Sequence, residues 1–257
     1  MRLFRSASLV ICSLLISASI AAQTPPPRDP QAVAILQHSL AAMGGVVPGD
    51  SVATGAIRLV AGSRIETGSI RILTRGLDQT AEHTDTQLGR RAVIYSRGLA
   101  NEIEGAAVRR LQLELAVTSQ SPDFPVGLLT ATFRNASAGI QYVGLETLGG
   151  SAVHHIRFWN TFPAWRRSTH LAQFSLKHLW IDVASGLPRK VAYDRRAALG
   201  SAPRIAVEVS FSNYRNIGGV LYPLVIEKSL NGTPWATITV GSVVFNTGLS
   251  DADFPVQ

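Results

Sequence analysis

The sequence predicts a mainly β (α+β) protein: a strongly curved antiparallel sheet forming an open half-barrel, with an N-terminal helix and short helices on its concave face. Three observations predict it. Turn signals recur along the 257 residues, among them Ala61-Gly62-Ser63, Gly149-Gly150, Gly218-Gly219 and Asn231-Gly232, and they separate runs of strand-forming residues. Consecutive hairpins with few candidate crossovers make an antiparallel meander. Three stretches of helical period then need an apolar surface to cover, and an open curved sheet accommodates them better than a closed barrel.

The elements follow in order. Thr24-Pro25-Pro26-Pro27 lies in a Pro-rich spacer over 23–29, because Pro fixes φ and disfavours helix before it. Asp29 then offers an N-cap and Pro30 a first helical residue. Val33, Leu36, Leu40 and Met43 recur at helical spacing, and Gly44-Gly45 ends the run. Ile57, Leu59, Ile65, Ile70 and Ile72 form a hairpin pattern around Gly62. Residues 77–87 are polar with many Thr, and Arg91–Tyr95 is the next strand. Between about 108 and 133, Leu111, Leu115, Val126, Leu129 and Phe133 suit two short helices broken by Pro122 and Pro125. Strands resume at Ile140–Leu148, Val153–Trp159, Leu176–Val183 and Lys190–Asp194. The clearest alternation is Ile205, Val207, Val209 and Phe211, a half-buried strand with one wet face. Leu221–Leu230 and Trp235–Phe245 complete a hairpin at Asn231-Gly232. No internal repeat or later linker divides the chain, so 30–257 is expected to be a single domain.

Composition narrows the function classes. With 46% hydrophobic and 16% charged residues the chain is no disordered protein. Its size allows roughly 70–75% of the unfolded surface to be buried without disulfide or metal staples. Arg2 and Arg5, the apolar Leu9–Ile16 and the small residues at Ala21 and Ala22 read as a secretory signal peptide over 1–22. Its removal takes two of 24 basic residues against 17 acidic ones, so +7 becomes +5. It also takes Cys12, the sole cysteine, and with it thiol chemistry and disulfides. Ile11 before Cys12, and an apolar core continuing to Ile16, do not fit a lipid-attachment cysteine. The expected location is the periplasm, peripheral to the envelope membranes or beyond them. No internal run reaches the roughly 18 apolar residues of a membrane span. Nucleic acid is not an expected partner: basic pairs such as Arg90-Arg91 and Arg195-Arg196 are scattered and read as solvated strand ends or weak contacts to anionic lipid.

Catalytic motifs are missing. There is no G-x-S-x-G elbow and no H-E-x-x-H pair. His154-His155 is suggestive, but adjacent strand residues point to opposite faces, and the spacing to His170 and His178 is no ligand pattern. Asp182 and Asp194 read as turn and strand-end residues, and Glu102 and Glu104 as a solvated edge. Trp159, Trp165, Trp180 and Trp235 suit either core or cavity lining. Neither metal nor cofactor is expected.

Leu179-Trp180-Ile181-Asp182 with Gly186-Leu187-Pro188 resembles a hairpin of the bacterial outer-membrane lipoprotein-sorting, or lipoprotein-carrier, superfamily (LolA/LolB-like). Phe211-Ser212-Asn213-Tyr214 with Gly218-Gly219-Val220-Leu221-Tyr222-Pro223, and Val243–Asn246 with Leu249–Phe254, are similar to its following strands and tail. The helix ending at Met43-Gly44-Gly45 is similar to the one that opens secreted members. The resemblance spans about 30–257 and is strongest from 176 onward. It implies a non-enzymatic protein that holds a lipid or lipoprotein acyl chain on its concave face, with no catalytic residues. The candidate lining residues are Ile57, Leu59, Ile70, Ile72, Val207, Val209, Phe211, Leu224 and Ile226. The alternative is an envelope protein-interaction or sensor module without lipid cargo; an exported hydrolase comes third.

Overall fold

The structure, a computed structural model, describes residues 26–113, 116, 124–162, 171–196 and 204–256. The leader expected at 1–22, Leu115, Pro122, Trp165 and His170 lie outside them.

Strands β1 (Asp50–Ala61), β2 (Arg64–Arg75), β3 (Gln79–Thr86), β4 (Gly89–Ser96), β5 (Leu99–Glu104) and β6 (Ala107–Arg110) form the first half of the chain. Strands β7 (Ala138–Leu148), β8 (Ser151–Asn160), β9 (Lys177–Asp182), β10 (Pro188–Arg196), β11 (Arg204–Ile217), β12 (Val220–Leu230) and β13 (Thr233–Phe245) form the second. All thirteen belong to one antiparallel sheet in the order β6-β5-β4-β3-β2-β1-β13-β12-β11-β10-β9-β8-β7. Each half is a meander, and pairing of β1 with β13 fuses the two (Ile57 opposite Ile238, Leu59 opposite Ala236). The sheet does not close, and its edges are β6 and β7.

Helix α1 (Pro30–Ala42) is capped as its sequence implies: Asp29 Oδ1 accepts from the N–H groups of Gln31 at 2.8 Å and Ala32 at 3.3 Å. The preceding residues are not an idle spacer. Asp29 donates its N–H to the Ile140 carbonyl and Ile140 its N–H to that of Pro27, so the segment covers part of edge strand β7. Helix α2 (Pro125–Arg134) links the two edges, and its C-terminal carbonyls at Phe133 and Asn135 accept from the Arg28 guanidinium at 2.7 and 2.8 Å. The short α3 (Leu171–Phe174) buries Leu171 and Phe174.

Both long helices plug one end of the concave face. Leu36 and Met43 of the first, and Val126 and Leu129 of the second, are buried against Ile72, Val209, Phe211 and Ile226 in one apolar cluster. Phe124 stacks on Tyr222, with ring centres 5.6 Å apart. Gly44, at φ +109°, lies against the Gly219 carbonyl so closely that no side chain fits between them. A second cluster lies on the outer face, where Phe254 of the C-terminal tail covers Leu73, Ala81 and Ile94. Asp50 holds that tail. Its carboxylate accepts from Thr247 N–H and Oγ1, Gly248 N–H and Leu249 N–H at 2.6–3.2 Å. Burial opposes its ionisation, yet these donors outweigh burial and keep its pKa below the ordinary value.

Two expectations are corrected. Residues 107–110 pair with β5 as a strand and are not helical, so Glu102 and Glu104 lie on an inner strand and not on the sheet edge. The polar stretch at 77–87 contains β3, which pairs on both sides with β2 and β4. Its threonines are good strand formers even without apolar alternation.

Candidate functional site

At the end away from the plugging helices the concave face is hollow. A cavity of about 390 Å³ lies between the wall formed by β10–β13 and β1 and the opposing strands β3–β5. That volume is within the range of small-molecule sites. Register explains the wall. Leu59, Ala236, Lys228 and Val209 are lateral neighbours along one row, and Ile57, Ile238, Ile226 and Phe211 along the next. Of the two rows, Ile57, Leu59, Ala236, Lys228 and Ile238 border the hollow, whereas Val209, Phe211 and Ile226 do not.

Of the residues expected to line a cavity, Ile57, Leu59 and Val207 do so, beside Ala236 and Ile238. Ile72, Val209, Phe211 and Ile226 are packed under the helices, with Leu224 half-buried beside them. Ile70 is buried in the same cluster and also borders a second hollow of about 670 Å³ around Gly55, Arg71, His83 and Arg90. Trp235 lines the concave cavity, Trp180 faces the outside, and Trp159 packs over Gly139.

The cavity also holds groups that apolar patterning passes over. Lys228 of β12 reaches across to Glu82 of β3, Nζ to Oε2 3.0 Å, with the two side chains 10% and 19% exposed. Tyr95, Tyr193 and Trp235 add aromatic surface. Beneath Tyr193, 5.2 Å from its ring centre, lies the ammonium of Lys177, whose pKa burial lowers to about 8. At the rim, Arg91 meets Glu104 at 3.3 Å, Glu102 meets Arg109, and Arg195 enters the lining from β10. One signal marks Lys228 in the sequence: it occupies the in-phase position between Ile226 and Leu230 on a stripe that is otherwise apolar.

The histidines gather elsewhere. His154 faces the concave side with Tyr142 (Nδ1 to Oη 3.2 Å), and His155 the outer side. On that outer face His155 bridges Glu146 (2.6 Å) and His178 (2.8 Å) and stacks on Trp180, whose indole donates to Glu146 at 2.8 Å. Desolvation, and then the nearby His155 and Arg157, lower the pKa of His178. No group of three or more potential metal ligands occurs among the described residues. Asp182 caps the turn after β9, accepting from Ala184 and Ser185, while Asp194 pairs with Arg204 at 3.2 Å; the two share no cleft.

No protein-family model matches the chain, and no curated protein matches it. Solved structures do. A domain named for outer membrane lipoprotein sorting from Vibrio parahaemolyticus aligns with a TM-score of 0.59 at 17% identity, over 87% of this chain and 96% of that one. A LolA superfamily protein from Nitrosomonas europaea aligns at 0.58 and 14% identity, over 88% and 97%. The fold is LolA-like. A DUF1329 family protein from Desulfovibrio piger shares it at 0.56 and 15% identity, over 87% and 97%. At such identities the likeness is one of architecture. In LolA-like terms, the plugging helices and the hollow both occupy the concave side of the half-barrel. No helix among the described residues is long and apolar enough to cross a membrane.

Proposed function

We propose that the chain is a non-catalytic envelope protein of the periplasm that binds the acyl chain of a lipid or lipoprotein in its concave cavity. The observation that carries this reading is the hollow lined by the half-buried Leu59, Tyr193, Leu230 and Trp235, with the buried Ile57, Val207 and Ile238 behind them. Apolar surface left uncovered inside a well-packed fold is costly unless something covers it. An acyl chain does so at about 0.8 kcal/mol per buried methylene. The leader-like residues 1–22 and the likeness to a domain named for lipoprotein sorting support the same location and cargo class.

The test is mass spectrometry of lipids extracted from protein purified from its native envelope, together with titration of a fluorescent fatty acid. Co-purifying lipid and saturable binding, lost in Ile238→Asp, are expected. Protein that carries no lipid and does not bind the probe would overturn the reading.

A further inference from the structure

One cation of the cavity lining stands outside its ion pairs. Three acidic side chains line it, Glu82, Glu102 and Glu104, and each meets a cation: Lys228 at 3.0 Å, Arg109, and Arg91 at 3.3 Å. Arg195 is the remaining cation in the lining. It is half-buried, and among the described residues no carboxylate or other hydrogen-bond partner meets its guanidinium. Its place on β10 is two residues beyond Tyr193, opposite Ile205, at the end of the strand away from the plugging helices. Tyr193 stands opposite Val207 in the cavity wall. The guanidinium is therefore at the mouth, with the apolar wall running inward from it.

We infer that the cavity takes an anionic amphiphile, with Arg195 binding its carboxylate or phosphate head and the wall from Val207 to Ile57 and Ile238 holding its chain. This rests on the lipid-binding reading above and adds the chemistry of the head group. Guanidinium offers a planar fork of donors that matches carboxylate or phosphate in a bidentate way. Half-burial beside apolar surface weakens competition from water and so strengthens that contact. The paired charges cannot serve in this way without giving up their present partners. Arg195 needs no rearrangement.

The test compares ligands of one chain length. Palmitic acid, hexadecyl phosphate and the neutral hexadecanol are titrated, below their critical micelle concentrations, by displacement of a neutral fluorescent alkyl probe. Both anions are expected to bind about tenfold or more tighter than the alcohol, as a charge-assisted hydrogen bond implies. The margin should shrink at high salt. Arg195→Gln, whose fold is verified by circular dichroism, is expected to erase the margin and leave hexadecanol affinity unchanged. A stronger loss for phosphate than for carboxylate would identify a phospholipid head as the natural source, and the reverse a free fatty acid. Equal binding of all three ligands would overturn the anion assignment and leave acyl-chain binding standing. A margin that survives in Arg195→Gln would also overturn it. Failure of all three to bind would overturn the lipid reading itself.

Discussion

Replacing Lys228 by Met and Glu82 by Leu, singly and together, separates what the buried ion pair does for stability from what it does in the cavity. The partners come from β12 and β3, which are not neighbours in the sheet, and the pair closes across the hollow at 3.0 Å. Removing either partner leaves a charge in a wall built of Leu59, Ala236 and Val209. Breaking a fully buried pair costs about 3–5 kcal/mol, and exposures of 10% and 19% reduce that to about 2 kcal/mol here. For a fold of this size such a loss lowers Tm by roughly 4–8 °C. The double variant removes both desolvation costs and adds apolar contacts, so its stability should return to within about 1 kcal/mol of the parent. Urea unfolding followed by tryptophan fluorescence, at unchanged m-value, provides the cycle. A double variant that loses the sum of the two single losses would refute the reasoning, because the two side chains would then act independently.

Three further outcomes follow from other parts of the molecule. Asp50→Ala removes the acceptor of four hydrogen bonds that hold the C-terminal tail; unfolding should show a loss of about 2–4 kcal/mol, and limited proteolysis should cut after residue 246 first. Because the Asp50 pKa is lower in the folded chain, its contribution is present above the unfolded value of 3.8 and disappears as pH falls through the folded one. Gly44→Ala forces a methyl group into the Gly219 carbonyl at a positive φ, and calorimetry should record a loss of at least about 2 kcal/mol. The lowered pKa of His178 means that the unfolded chain binds the extra proton first, so stability falls as pH drops below 6.5 and levels off below the folded value. That decline should shrink in His178→Gln, as unfolding curves across pH 5–7.5 would record.

The architecture was legible where local chemistry and long-range packing agree. Asp29-Pro30 starts α1 and Gly44 ends it, as caps and left-handed glycine require. The alternation from Ile205 to Phe211 marked a face that is indeed buried, with Val207, Val209 and Phe211 at most 4% exposed. Strand β3 escaped notice because its stripe is Thr80, Glu82 and Thr84, polar residues whose place is set by β2 and β4 on either side. Its role depends on the pairing of β1 with β13, a contact between residues nearly two hundred positions apart that no local pattern reports.

The polar half of the site was hidden for a related reason: its signal is an exception to a stripe, and the stripe must be drawn first. Once β12 is phased by Tyr222, Leu224 and Ile226, Lys228 stands on the apolar side. Once β10 is phased by Val191 and Tyr193, Arg195 does too, although beside Arg196 it reads as one of several basic surface pairs. Glu82 shares its row with Ile72 and Val93. A core that only had to pack would gain from apolar residues at all three positions, since a buried charge seldom improves stability over a hydrophobe of similar size. The three exceptions come from three different strands, yet all of them line the same cavity. Independent defects would be scattered over both faces of a sheet this long. Their convergence at one hollow supports the proposed charged, chain-bearing ligand, with Arg195 as the group that meets its head and the Lys228–Glu82 pair as a polar strut across the cavity.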